Sequence, residues 1–154
     1  MNTDVAKDYL VQAAARVEEE NRHLLVVDVS ERCIATRLAI YLRDALSADY
    51  DVDVEYNRHG PDKKQLYDLM DKHDCDRDHR RDEGQTVLPD VIVHKRGVDS
   101  NLLIIEMKKS ANRRGLVRDR RRIRAFRDEL GYQFGALVVC KTGDRPAIDV
   151  EWYE

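Results

Sequence analysis

The chain has 154 residues, of which 37% are charged and 42% hydrophobic, and its formal net charge is −3. This length fits one domain with a core of its own, and the hydrophobic content, gathered in periodic segments, excludes a disordered chain. Three cysteines, Cys33, Cys75 and Cys140, are too few and too widely spaced for a disulfide framework, which indicates a reducing compartment.

The first twenty residues contain neither the basic start nor the apolar run of a secretory signal. No apolar stretch approaches the length needed to span a bilayer. We therefore expect a cytoplasmic protein.

The first third of the chain predicts helices followed by a strand. Residues 4–20 place Val5, Tyr9, Ala13 and Val17 at helical spacing, which predicts an amphipathic helix with a peripheral position as one option. The segment "HLLVV" is too short to classify by its period.

A second helix is predicted over about 31–46, because Ser30 is a suitable N-cap residue. The sequence "YDVDVEYNR", 50–58, alternates strictly, so it predicts a half-exposed strand with Val52, Val54 and Tyr56 on one face.

A polar and charged insertion occupies about 61–87. One helical turn is expected within it, around 65–70. Insertions of this length and composition are typical of mobile or functional segments rather than of a core.

Two apolar runs, 88–95 and 102–108, flank the turn sequence "RGVDS" and predict an antiparallel hairpin. A helix is predicted over 113–130, ending at Gly131. A buried strand over 134–141 and an edge strand in "AIDVEWY" follow. The prediction is one α/β domain spanning 1–154, without internal repeats.

The hairpin carries charged residues where strands are usually apolar. A loop centred on Val98 places Asp90 opposite Glu106, with Lys108 on the same face. Carboxylates on opposed residues about 5 Å apart repel each other, and a divalent cation between them would remove that repulsion. A lysine beside the metal could orient or activate a water, so these residue types suit phosphodiester hydrolysis.

A simpler interpretation stays open, because glutamate and lysine at a strand end often just meet solvent. Three features favour the functional interpretation. A proline precedes Asp90, both acids fall at strand ends, and the hairpin lies between an acid-bearing helix and an arginine-rich one.

The pattern Pro89-Asp90 … Glu106-Met107-Lys108 resembles the bipartite motif of the PD-(D/E)xK nuclease superfamily, which has the restriction-endonuclease-like fold. The order of predicted elements over about 30–141 is also similar to the αβββαβ core of that superfamily. The resemblance extends to small bacterial members. It implies a central mixed β-sheet flanked by helices, with an extra helix at the N-terminus.

This resemblance implies a Mg²⁺-dependent (or Mn²⁺-dependent) phosphodiesterase that hydrolyses DNA. Asp90, Glu106 and the backbone carbonyl of Met107 would hold the metal, and Lys108 would position the attacking water. Glu31 matches, by position, a glutamate that many members carry on the first core helix. Its other interpretation is a favourable charge at a helix N-terminus.

One departure from the family concerns its exonuclease-like branch, which has a Gln-x-x-x-Tyr pattern after the lysine. The sequence "SANRRGLVRDRRRIRAF" lacks that pattern, so it does not assign the chain to this branch.

Eight arginines cluster between residues 113 and 127. Contact with phosphates is one interpretation, and a solvated face paired with Asp119, Asp128 and Glu129 is the other. The candidate nucleic-acid contacts are Lys109, Arg113, Arg114, Arg118, Arg121 and Arg122.

DNA is the expected partner, and no target-recognition domain is evident, so a homodimer or a partner protein could supply recognition. The alternative function is a catalytically silent nuclease fold that serves as a nucleic-acid-binding or regulatory module of a bacterial defence system.

Overall fold

The computed structural model describes residues 3–56, 58–59, 62–63, 65–66, 85–86, 88–111 and 115–153. The helices are α1 (Thr3–Glu20), α2 (Arg22–Val26), α3 (Glu31–Ala45) and α4 (Leu116–Leu130). The strands are β1 (Asp51–Val54), β2 (Arg58–His59), β3 (Asp62–Lys63), β4 (Gln65–Leu66), β5 (Gln85–Thr86), β6 (Val91–His94), β7 (Asn101–Lys109), β8 (Phe134–Lys141) and β9 (Ala147–Tyr153).

The chain forms an α/β fold around a five-stranded mixed sheet with the strand order β1-β6-β7-β8-β9. The strands β1, β6 and β7 pair antiparallel, β7 and β8 pair parallel, and β9 returns antiparallel to β8. A parallel pair requires a crossover connection, and α4 supplies it. Two short antiparallel pairs, β2 with β3 and β4 with β5, lie outside this sheet.

Two helix ends are as the sequence predicts. The Ser30 hydroxyl accepts a hydrogen bond of 3.2 Å from the Cys33 amide, so it caps α3. Helix α4 ends at Gly131, which has a φ of 67° and donates its amide to the Arg127 carbonyl. A left-handed residue after a helix is the conformation that glycine adopts without strain.

The register of the predicted hairpin is confirmed. Val91 pairs with Ile105 and Ile92 with Ile104, so the next step of the ladder places Asp90 opposite Glu106. The pair nearest the turn, His94 with Asn101, is one residue out of step with this register, and the irregularity between Val93 and His94 shifts the ladder into it. The loop is therefore not centred on Val98 as predicted, and the irregularity is needed to bring Asp90 opposite Glu106.

Alternation along the strands divides the core between the two faces of the sheet. On one face, Val91, Ile105 and Met107 belong to the cluster that includes α1 and α3. On the other, Ile92 and Ile104 pack with residues of α4, which we call the α4 face. Glu106 and Lys108 follow Ile104 at two-residue steps, so they also lie on the α4 face.

The close packing of α4 depends on a small residue in β8. A Cβ atom on Gly135 would lie 2.3 Å from Ile123 Cγ2 and 3.2 Å from Arg127 Cδ. Only a residue without a side chain lets the helix approach this strand so closely. Helix α4 therefore packs closely against the sheet, and the side chains on its inner face contact β7.

Several predictions need correction in detail. The buried side of α1 includes Ala6 and Leu10, whereas Val5 is 38% exposed. The helix packs on α3 and β9, so it does not have a peripheral position. Gln65–Leu66 is a short strand, not part of a helical turn, and 67–70 lies outside the described residues. The segment "HLLVV", which the sequence pattern does not classify, contains most of helix α2.

The predicted strand 50–58 is shorter than expected, since β1 ends at Val54. Glu55 has a φ of 52°, which breaks the alternation of a strand. Val52 and Val54 pack on the α1–α3 side, but Tyr56 packs with the cluster of the α4 face. The prediction that all three share one face is wrong for Tyr56.

Within the described ranges, no helix combines the length and the apolar composition that crossing a membrane requires.

Candidate active site

The candidate site lies on the α4 face, where Asp90 immediately precedes β6 and Glu106 lies near the end of β7. The Asp90 carboxylate accepts a hydrogen bond of 2.7 Å from the Met107 amide. This bond fixes Asp90 against β7, at the position opposite Glu106 in the hairpin. The hairpin thus brings together the two acids that the sequence predicts as metal ligands.

Glu106 is the most buried charged residue of this pair, with 2% of its surface exposed. Burial, followed by the nearby charge of Asp90, raises the pKa of Glu106 well above its ordinary value. Burial also raises the pKa of Asp90, although the Met107 amide and the charge of Arg122 oppose that rise. The pair therefore resists full ionisation unless a cation compensates it.

Arg122 is directed towards this pair. Its Nη2 atom lies 3.3 Å from Glu106 Oε1 and donates a hydrogen bond of 2.8 Å to the Leu88 carbonyl. The contact with Glu106 is an ion pair without hydrogen-bond geometry, because Oε1 is buried and no described residue donates a hydrogen bond to it. The sequence predicts Arg122 as a nucleic-acid contact, whereas the structure places it against the acidic pair.

Lys108 lies on the same face, one step further along β7. Its ammonium is 3.1 Å from Asp119 Oδ2, and the two side chains are 14% and 9% exposed. Burial alone would lower the pKa of Lys108, but the charges of Asp119, Glu31 and Asp90 outweigh burial and raise it. Lys108 is therefore an ammonium group, not a free amine, in this arrangement.

Glu31 reaches the same cluster from the N-terminus of α3. Burial raises the pKa of Glu31, the charge of Lys108 lowers it, and the charges of Asp90 and Asp119 raise it. These interactions place the Glu31 carboxylate within electrostatic reach of the other candidate residues. It also stands in the first turn of α3, where a negative charge is favourable.

Other predicted nucleic-acid contacts lie elsewhere. Lys109 pairs with Asp28 Oδ1 at 2.9 Å, and alternation along β7 turns it away from the α4 face. Arg118 and Arg121 are exposed on α4. Arg113 and Arg114 lie outside the described residues.

Asp119 is the residue that sequence reasoning misses, since it was interpreted there only as a surface partner for arginines. It is buried, with 6% of its surface exposed. The available signal was its spacing from Arg122, because residues three apart share a face of a helix. Both residues point into the site from α4.

The residues present fit a divalent cation held by few protein ligands. Among the described residues, no three His, Cys, Asp or Glu side chains form a metal-binding group by themselves. Mg²⁺ needs only one or two carboxylates when waters and a phosphate complete its coordination, and the buried, undonated Oε1 of Glu106 is a suitable ligand atom. Met107 uses its amide towards Asp90, and its side chain is buried on the opposite face.

Comparisons of this chain with protein families, with curated proteins and with solved structures gave no match. Arguments about function therefore rest on the chain's own residues.

Proposed function

We propose that this protein is a metal-dependent phosphodiesterase of the PD-(D/E)xK type, with DNA as its substrate and a restriction-endonuclease-like core. The observation that carries the proposal is the position of Asp90 opposite the buried Glu106, with Lys108 on the same face of the sheet. The element order α3, β1, β6, β7, α4, β8 supports it, because this is the αβββαβ order that the sequence resemblance implies.

The acidic pair would hold Mg²⁺ or Mn²⁺, which acts as a Lewis acid on a phosphate oxygen when bound. Glu106 and Asp90 gain a compensating charge in that state, so the strain of two adjacent buried carboxylates is relieved. The Met107 amide holds Asp90 in place throughout, because it already donates to this carboxylate.

Lys108 would act through its positive charge. A lysine whose pKa is raised by neighbouring acids does not accept a proton from water at neutral pH. Its ammonium instead orients the attacking water by hydrogen bonding and stabilises the negative charge that develops on the phosphate. Glu31 would receive a proton from that water, a role that its raised pKa, caused first by burial, supports.

A cleavage assay tests this function directly. Plasmid, linear and single-stranded DNA, and RNA, are incubated with the protein in Mg²⁺, in Mn²⁺ and in EDTA. We expect cleavage of DNA with either metal and none in EDTA. Glu106→Gln should abolish it, while Glu19→Gln on the exposed side of α1 should cleave as wild type. Cleavage that persists in EDTA, or that survives Glu106→Gln, contradicts the proposal.

One observation favours the alternative of a silent binding or regulatory module. Arg122 and Lys108 each already face an acid of the site, so the charges are partly compensated by the protein itself. A module of this kind would bind DNA equally in EDTA and in Mg²⁺ and would cleave none of the four substrates.

A further inference from the structure

Two residues at the start of α4 lie beside the side chain of Lys108. One is Asp119, whose Oδ2 atom lies 3.1 Å from the Lys108 ammonium. The other is Gly115, immediately before the helix. Residues four apart face the same direction on a helix, so both contacts come from one side of α4.

The absence of a side chain at Gly115 leaves the space that the ammonium occupies. A Cβ atom there would lie 2.6 Å from Lys108 Nζ and 2.9 Å from Cε. It would also lie 3.5 Å from Asp119 Oδ2, in ordinary van der Waals contact. An alanine at 115 would therefore displace the end of Lys108 but leave Asp119 where it is.

The contact between Lys108 and Asp119 leaves hydrogen-bonding capacity at the ammonium. Asp119 Oδ2 is buried, and the part of the chain that the structure describes offers it no partner with hydrogen-bond geometry, so the contact is an ion pair. Lysine carries three N–H donors. The pair thus fixes the position of the charge while the donors stay available to a water or a phosphate.

We infer that Gly115 and Asp119 are positioning residues that hold the Lys108 ammonium beside the Asp90–Glu106 pair. This inference rests on the proposed function. In this role both residues act through Lys108, the side chain beside which they lie. A lysine has four rotatable side-chain bonds, and its reactive position is defined only if the surrounding protein fixes it.

The test is steady-state cleavage by Gly115→Ala and Asp119→Asn. Each should lower kcat by about tenfold or more, because misplacing a catalytic group by about 1 Å is enough for an effect of that order. KM should change by less than about twofold if Lys108 acts mainly on the transition state. Asp119→Glu should recover part of kcat, since it restores the charge. Asp128→Asn, on the exposed side of the same helix, is the matched control.

Two measurements do not depend on turnover. Calorimetric titration with Mn²⁺ should give wild-type affinity in both variants, because Asp90 and Glu106 are unchanged. Acylation of lysines by an amine-reactive reagent, followed by mass spectrometry, should show faster labelling of Lys108 in both variants than in wild type. A solely structural role for Asp119 would lower the melting temperature and leave kcat and the labelling of the folded protein unchanged.

The outcomes separate this inference from the function on which it rests. If wild type shows no metal-dependent cleavage, the proposed function fails, and the positioning role fails with it. If wild type cleaves and both Gly115→Ala and Asp119→Asn keep kcat within twofold, only the positioning role is overturned. If Asp119→Asn does not fold, Gly115→Ala and Asp119→Glu decide the question.

Discussion

Two groups of acids on the same face of the sheet differ in how the protein treats their charge. Asp53, in β1, accepts hydrogen bonds of 2.8 Å from His94 and from Arg96 at one end of β6. Burial acts to raise its pKa, but Arg96 and His94 more than offset that effect and lower it. At the other end of β6, burial raises the pKa of both Asp90 and Glu106.

The difference distinguishes an acid with a structural role from one for which we propose a functional role. Asp53 has partners that favour its ionised form, so its charge stabilises the fold. Among the described residues, Glu106 has the ion pair with Arg122 alone to oppose the combined effects of burial and of the charge of Asp90. An acid kept buried at a cost to stability requires a reason, and a bound cation would supply one.

The largest expected effect on stability comes from Asp53→Ala. This change removes the partner of His94, which is buried with 3% of its surface exposed. The loss of hydrogen bonds to charged groups predicts a fall in the free energy of unfolding of about 2–3 kcal/mol. Urea denaturation at neutral pH measures it. A fall below about 0.5 kcal/mol would mean that the two groups of acids do not differ as described.

The same contrast predicts opposite dependences on pH. The pKa of Asp53 is lowered on folding, so its contribution to stability is present above the unfolded pKa and is lost as pH falls. The pKa of Glu106 is raised on folding, so its contribution is present at low pH and is lost as pH rises through the raised pKa.

Glu106→Gln isolates the second effect in metal-free protein. Over the range between the ordinary pKa of glutamate and the raised one, wild type should lose up to about 1.4 kcal/mol of stability per pH unit from this group. The variant should lose less, so its advantage over wild type should grow with pH. Thermal melts in EDTA across that range measure the slope. Parallel curves for the two proteins would contradict the assignment.

A smaller effect is expected from the exposed arginines of α4. Arg118→Gln combined with Arg121→Gln should weaken DNA binding and reduce the slope of log affinity against log salt by about one per arginine. The matched control is Arg37→Gln with Arg43→Gln, which removes two exposed arginines from α3 on the other side of the sheet. Equal effects of the two double variants would show that α4 is not the binding surface.

Much of this arrangement follows from local sequence signals. The alternation of the flanking strands predicts that Asp90 and Glu106 share a face, although their opposition also depends on the register shift between Val93 and His94, which the sequence does not reveal. Ser30 and Gly131 likewise define helix ends through their own chemistry. These predictions succeed because each depends on residues close together in the chain.

The rest depends on how α4 packs over β7, which no local pattern reveals. From the sequence, Asp119 and Arg122 are predicted to lie on a charged surface. In the structure they face the sheet, because Gly135 allows α4 to approach it closely. Tyr56 changes face because Glu55 adopts a positive φ, although alternation predicts a continuous strand. The acids of the site were predictable from the sequence, but the groups that contact them from α4 were not.

The central claim is that Asp90 and Glu106 together hold a divalent cation, and calorimetric titration of Mn²⁺ tests it most directly. Wild type should bind one ion, and free Mn²⁺ at about a hundredfold above Kd should stabilise the fold by about 2.7 kcal/mol. Asp90→Asn should lose both the heat of binding and the stabilisation, while its stability in EDTA equals or exceeds that of wild type. The absence of binding by wild type in millimolar Mn²⁺, or unchanged binding by Asp90→Asn, would contradict the claim.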